Sequence, residues 1–169
     1  MDRSESIFPP PRRLLPILAL AASMSIMTGL CQQHSSTPTT PQKPLRERLL
    51  ERARNGDADA QFELGKNYET GRIGLPKDLS EAQYWYRKAA DQGDAYAEAS
   101  LGILFNFGKG VQRDYAQAYL WYERAVTHAQ GSNRDSIVEM RDGIAENLTP
   151  QQIAEAKRLA REWKPVPKQ

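Results

Sequence analysis

The stretch Ala60-Gln61-Phe62-Glu63-Leu64-Gly65-Lys66-Asn67-Tyr68 returns later in the chain as Ala97-Glu98-Ala99-Ser100-Leu101-Gly102-Ile103-Leu104-Phe105. A second pair follows in the same order. Ala82-Gln83-Tyr84-Trp85-Tyr86-Arg87-Lys88-Ala89-Ala90 is answered by Ala118-Tyr119-Leu120-Trp121-Tyr122-Glu123-Arg124-Ala125-Val126. Leu64 and Leu101 are 37 residues apart, Trp85 and Trp121 are 36 apart, and the difference falls in the turns 72–77 and 109–113. A period of this length marks supersecondary units that bury their apolar faces on one another. The expected fold is all-α, a short solenoid of stacked antiparallel helix pairs.

Each unit reads as two helices. Asp57 and Asp94 stand where the first helices need an N-cap, and Asp78 and Asp114 stand before the second helices. Asp78-x-x-Glu81 and Asp114-x-x-Gln117 carry the spacing of a capping box. Gly71, Gly93 and Gly108 fall where helices end. In the second helices Ala82, Trp85, Tyr86 and Ala89 recur at i, i+3, i+4 and i+7, as do Ala118, Trp121, Tyr122 and Ala125, so one stripe of each faces inward. Small residues at Ala60, Gly65, Ala97 and Gly102 let neighbouring helices approach, and the Trp and Tyr rings fill the space between layers. The interior expected from this pattern is apolar and aromatic, with no polar machinery in it.

The combination Ala-x3-Leu-Gly-x2-Tyr/Phe, a glycine-containing turn, then Asp-x3-Ala-x2-Trp-Tyr-x2-Ala, written twice, resembles the Sel-one-like repeat family, a relative of the tetratricopeptide repeats. The resemblance covers residues 57–131 and rests on Leu64, Gly65, Tyr68, Asp78, Ala82, Trp85 and Tyr86, with Leu101, Gly102, Asp114, Ala118, Trp121 and Tyr122 in the second unit. Leu75-Pro76 in the first turn and Val126-Thr127-His128-Ala129 at the end of the second unit depart from the family pattern. The resemblance implies a non-catalytic adaptor or scaffold that binds a protein or peptide, in some members at the cell envelope. Cysteine-rich relatives that bind or hydrolyse β-lactams suggest an alternative, a cell-wall or β-lactam-binding protein with weak hydrolase activity. The repeat cysteines of those relatives are absent here.

Around the repeats the chain divides into an export signal or membrane anchor (1–30), a tether (31–44), an N-terminal capping helix (45–56), repeat 1 (57–93), repeat 2 (94–131) and a C-terminal capping helix pair (132–164). Arg12-Arg13 precede Leu14–Leu30, a run of 17 residues without a charge, which is the pattern of an export signal. Cys31 follows that run directly and its placement resembles a bacterial lipoprotein signal, in which this cysteine is acylated. A plainly cleaved signal and a retained anchor are the alternatives. The expected location is the periplasmic side of a bacterial envelope, with the membrane reached through the N-terminus. The polar stretch Gln32–Pro44, rich in Pro, Ser and Thr, cannot bury enough apolar surface to offset its ordering entropy. Leu45, Leu49, Leu50 and Ala53 share a face of the capping helix, and Gly56 closes it. Ile137, Met140, Ile144 and Leu148 mark one C-terminal helix. Thr149-Pro150-Gln151-Gln152 opens another, with Ile153, Ala156, Leu159, Ala160 and Trp163 as its stripe.

Charge and chemistry-bearing residues narrow the function classes. The formal charge of the 169-residue chain is +2, and residues 44–169 hold as many basic as acidic side chains. That balance lacks the one-signed field that draws a protein to a phosphate backbone, so nucleic acid is not an expected partner. With Cys31 as the single cysteine there is no intramolecular disulfide and no thiolate metal site. No nucleophile–base set, metal spacing or phosphate loop is legible, and the expectation is no cofactor, no metal and no catalysis. Asp78 and Asp114 are read as caps, not as a catalytic carboxylate pair. His34 is an isolated tether residue, and His128 is placed at a helix C-terminus, where a basic group meets the free carbonyls. Candidate partner-binding positions are those where the two units differ at like places: Glu63, Asn67, Tyr84, Ser100, Leu104 and Leu120.

Overall fold

The computed structural model describes residues 43–166, and the expectations on the export signal, Cys31, His34 and most of the tether lie outside them. The described residues form seven helices: α1 (Leu45–Arg54), α2 (Ala58–Thr70), α3 (Leu79–Ala90), α4 (Ala95–Phe107), α5 (Tyr115–His128), α6 (Gly131–Ala145) and α7 (Pro150–Glu162). The described residues form an all-α solenoid. Helices α2 and α3 pair most extensively, as do α4 and α5, while α3 packs on α4 to join the two pairs. Helix α1 lies on α2, and both α6 and α7 pack on α5. No helix among the described residues is long and apolar enough to cross a membrane.

The four aspartates start the repeat helices. Asp57 accepts from Ala60 N, Asp94 from Ala97 N, Asp78 from Ser80 N and Glu81 N, and Asp114 from Gln117 N. Each such cap satisfies otherwise orphaned amides and contributes about 1 kcal/mol. The reciprocal half of the capping box is absent from Asp78 and Asp114. Glu81 turns instead to its own helix face, where its carboxylate accepts from Trp85 Nε1 at 3.1 Å. The full box forms at Thr149–Gln152 in α7. Gly71 and Gly108 close α2 and α4 in the left-handed conformation, at φ 70° and 65°. After each, the turn is pinned by matching bonds, Asp78 N to Tyr68 O and Asp114 N to Phe105 O. The insertion in the first turn has a use: Leu75 reaches back into the core beside Leu64 and Ala53.

Three apolar clusters run in series. Ala53, Ala60, Leu64 and Leu75 form the first, with Leu49, Leu50 and Trp85 packed on them. Tyr86, Leu101, Leu104 and Trp121 anchor the second among alanines. Tyr119, Tyr122, Ile137, Ile144 and Ala156 anchor the third. Trp121 is 1% exposed, but Trp85 is only half-buried. The two indoles occupy like positions and differ in what precedes them. Trp121 rests on the complete first pair, whereas Trp85 has only the short α1 to lie on. Position in the stack decides the outcome for the same residue.

The tightest packing lies within each pair. A Cβ on Gly65 would stand 2.6 Å from Tyr86 Cδ1, and one on Gly102 would stand 2.5 Å from Tyr122 Cε1. Both tyrosines are buried, so their rings have no room to retreat. Gly102→Ala is therefore expected to lower stability by about 1–3 kcal/mol through overpacking. Gly143→Ala serves as the contrast, because a Cβ there meets nothing within 4 Å on an exposed stretch of α6. It should stabilise by about 0.5–1 kcal/mol. Urea denaturation followed by circular dichroism measures both, and equal effects would contradict the packing account.

Candidate functional site

Counted from their caps Asp57, Asp94 and Gln130, the helices α2, α4 and α6 present the same four outward positions. In α2 these are Asp59, Glu63, Lys66 and Thr70, all exposed. In α4 they are Tyr96, Ser100, Ile103 and Phe107, with Tyr96 53% and Phe107 65% exposed and the two between them half-buried. In α6 they are Ser132, Ser136, Glu139 and Gly143, again exposed. The rows are neighbours. Phe62 of α2 stacks on Tyr96 at 5.8 Å between centroids, and Asn133 Nδ2 of α6 donates to the Tyr96 hydroxyl at 2.6 Å. An apolar row on α4 is thus flanked by a charged row and a row of small residues.

The six candidate partner-binding residues do not gather on one face. Glu63 and Asn67 lie on α2 and Ser100 on α4, and these three remain available to the outward surface. Asn67 is half-buried, and its side-chain amide donates to Glu63 O at 2.7 Å. Tyr84 is exposed on α3, edge-on to Trp85. Leu120 is half-buried against the third cluster. Leu104 is 1% exposed and cannot meet a partner. It points at α3 in the second cluster, so its difference from Asn67 reflects a deeper place in the stack, not a binding role. Difference between units located variable positions without saying which were outward. Helical phase was the missing signal, and it would have found Tyr96, Ile103 and Phe107.

The interior is not wholly apolar. Glu98 in α4 is 0% exposed and Arg124 in α5 is 5% exposed. Arg124 donates to Glu98 Oε1 from Nε at 3.0 Å, and its Nη2 lies 2.9 Å from both that oxygen and Ala90 O. His128 Nδ1 lies 2.8 Å from Glu98 Oε2. The guanidinium carbon sits 4.3 Å from the ring centroid of Trp121 and 3.7 Å from that of Trp163. His128 stands in the last turn of α5 as expected, and in addition it serves the buried carboxylate and meets Trp163 edge-on at 5.4 Å. Burial pushes the Glu98 carboxyl above its usual range, against the pull of His128 and Arg124. Burial likewise pulls the Arg124 guanidinium down, against the carboxylate that favours its charge.

The first unit holds the neutral counterpart of this network. Gln61 stands at the place of Glu98 and Gln92 at that of His128, and Gln92 Nε2 donates to Gln61 Oε1 at 2.8 Å. Gln61 Nε2 in turn donates to Ala53 O at 3.0 Å, the like position to Ala90. The repeat itself thus carries an inward polar position in both units, Gln61 and Glu98.

Beside His128 a cleft of about 330 Å³ opens between the α3–α4 turn and the start of α6. Three of its polar side chains are engaged locally: Asp94 caps α4, Asn133 holds Tyr96, and His128 holds Glu98. No Ser, Thr or Cys lines it. Among the described residues no three of His, Cys, Asp and Glu stand together as metal ligands. The Tyr122 hydroxyl is enclosed, and burial pushes its pKa up to about 12. The arrangement offers a surface for docking and a polar clamp for holding the units in register.

Comparison with known proteins agrees with this architecture. Residues 58–94 and 95–128 match the family model described as Sel1 repeat. A Sel1-repeat-containing protein of Escherichia coli, YjcO, is 31% identical over 72% of this chain and 46% of its own length. A chitin synthase regulator of the fungus Malassezia restricta is 31% identical over 53% of this chain and 9% of its own length. Among solved structures, the uropathogenic E. coli protective antigen c5321, described as displaying an SLR fold, superposes with a TM-score of 0.62 at 35% identity. It covers 69% of this chain and 24% of the antigen. A Sel1 repeat protein from Oxalobacter formigenes gives 0.55 at 33% identity over 69% of this chain and 46% of its own. The chain spans less than half the length of each of these proteins.

Removing one member of a buried ion pair strands the other. Arg124→Leu is expected to cost about 3–5 kcal/mol by leaving Glu98 without its cation. Adding Glu98→Gln, which restores the first unit's residue type, should recover part of that loss. Thermal and urea unfolding of the single and double variants test it, and strictly additive losses would show that the pair is not coupled.

Proposed function

On a chain that carries two Sel1 repeats, generally modules for protein interaction, we propose a non-catalytic adaptor. It is held at the periplasmic side of a bacterial envelope and binds a protein or peptide through the outward rows of α2 and α4. The observation that carries this reading is the pair of exposed rings at the two ends of the α4 row, with half-buried Ile103 between them. Tyr96 and Phe107 are large rings left in water on a domain whose other aromatics are mostly covered. Exposed apolar side chains that line up with polar neighbours mark interaction sites more often than chance exposure does. Glu63, Asn67 and Ser100 supply hydrogen-bonding groups beside them. Arg124, oriented by Glu98 within the second unit, donates from Nη2 to Ala90 O of the first and so ties the units that carry the two rows.

The location rests on the N-terminal sequence. Arg12-Arg13, the uncharged run Leu14–Leu30 and Cys31 directly after it support acylation and anchoring, with the Pro-, Ser- and Thr-rich stretch as a spacer. One lipid chain gives only marginal membrane binding, so a stable anchor needs more than one chain on the modified N-terminus.

Photo-cross-linkers placed at positions 63, 96 and 107 in cells are expected to trap the same partner. A linker at Arg158, on the exposed side of α7, should not. Adducts of equal yield from every position, or none from the α2 and α4 rows, would reject the reading. For the anchor, Cys31→Ser should abolish palmitate labelling and release the protein from the membrane fraction; unchanged labelling would exclude Cys31.

A further inference from the structure

The outward rows also constrain what kind of segment binds, an inference that rests on the interaction reading above. The row on α4 runs Tyr96, Ser100, Ile103, Phe107, at i, i+4, i+7 and i+11, and covers about 16 Å along the helix. Its polar groups are two hydroxyls, that of Tyr96, which accepts from Asn133 Nδ2 at 2.6 Å, and that of Ser100. An extended peptide laid along the row itself would bring an N–H and a C=O per residue to a strip with two hydroxyls to receive them. Most of the backbone groups that it covered would lose water without gaining partners. A helix satisfies its own backbone and presents side chains at the same repeat as the row. The notch at Ser100, between the Tyr96 and Ile103 side chains, is the kind of gap into which a facing knob fits.

The two flanks settle the chemistry of its sides. On α6 the row Ser132, Ser136, Glu139, Gly143 is small at three of four positions, which leaves space for a second helix to approach closely. On the flanking rows the carboxylates are Asp59, Glu63 and Glu139, against the single cation Lys66. Lys66 is already occupied: its Nζ lies 3.2 Å from Glu63 and 5.3 Å from the Phe62 ring centroid. Burial pushes the Asp94 carboxyl up, and the nearby Asp59 carboxylate adds to it. With that pair set aside, each flanking row keeps one carboxylate, Asp59 on α2 and Glu139 on α6, while Lys109 at the end of the apolar row lies 5.8 Å from the Phe107 ring centroid and 3.9 Å from Glu69.

We infer that the α4 row receives an amphipathic helix of a partner protein, its apolar stripe on Tyr96, Ile103 and Phe107 and basic residues along both edges. Helix-in-groove recognition reads such anchors at i, i+4 and i+7. The edge charges set orientation and partner choice, while the apolar stripe supplies the affinity.

The probe is a pair of synthetic amphipathic helices with one shared leucine stripe, flanked by lysine in one and by glutamate in the other. They are titrated against the full chain in mild detergent. The lysine peptide is expected to bind at least about tenfold more tightly and to gain helical circular dichroism on binding. Phe107→Glu should weaken it by about tenfold or more. Asp59→Lys with Glu63→Lys should narrow the preference between the two peptides. Both sets of substitutions fall on exposed positions, so unfolding does not confound them. Equal binding of the two peptides overturns the inference, as does lysine-peptide binding that survives Phe107→Glu. A row already filled in the full chain, by a second copy or by residues 14–30, would block the peptide and overturn it too. A cross-linked partner segment that is acidic or extended defeats this inference and leaves the adaptor reading intact.

Discussion

The helix pair of each repeat depends on a tyrosine ring packed directly against a glycine. Gly65 under Tyr86 and Gly102 under Tyr122 leave no space for even a methyl group. The contact sets the distance between the two helices of a unit, and the other features take their places from it. With the pair closed this tightly, Leu64 and Leu101 come to full burial and the alanines Ala82 and Ala118 can face a neighbouring backbone. Glycine within a helix costs conformational entropy. The buried phenol ring and its dispersion contacts offset that cost, and both are lost if the pair opens. The hydroxyl ends differ: Tyr86 donates to Glu69 at 2.7 Å, while the place of Glu69 in the second unit is held by Asn106.

The repeat made most of this architecture readable. Leu-Gly in the first helix and Trp-Tyr in the second could be aligned by eye, and the four aspartate caps followed from their spacing to the apolar stripes. What the alignment could not convey was the effect of place in the stack. Trp85 and Trp121 have one identity and two exposures because the units before them differ in size. Leu104 looked like a variable surface residue and is core, because a complete pair lies against it. Glu98 and Arg124 were hidden for another reason. Their partnership joins residues 26 apart in different helices, and local periodicity carries no information about which polar side chains meet across a layer.

The two units share a frame and differ in what they display. Asp59, Glu63, Lys66 and Thr70 become Tyr96, Ser100, Ile103 and Phe107 at the same helical positions, and nothing in the packing requires either set. Framework positions are held to narrow choices by contacts such as the glycine–tyrosine pair, which leaves outward positions free to take on chemistry. A polar row beside an apolar one is what a solenoid can build by varying the outward residues of successive copies. The interaction surface is therefore assembled across units, and its geometry is only as good as the joint between them.

That joint is where the buried charges sit. Glu98 in α4 and Arg124 in α5 meet under the turn that leaves α3, and Arg124 also holds the last carbonyls of α3 through Ala90 O. After α7 the chain returns over the same place: Trp163 stacks on the guanidinium, and Val166 N donates to Asp91 O at 2.8 Å. The first unit makes the equivalent joint to α1 with the amides of Gln61 and Gln92. A buried ion pair adds little net stability over an apolar filling, because desolvation consumes the attraction. Its consequence is selectivity: a shifted register would strand a charge at a cost of several kcal/mol, whereas amides or methyl groups tolerate small displacements more cheaply. The stronger penalty fixes α4 against α5 within the second unit, from which Arg124 reaches Ala90 O of the first, and the weaker one stands at the end of the stack, where Gln61 reaches Ala53 O of α1.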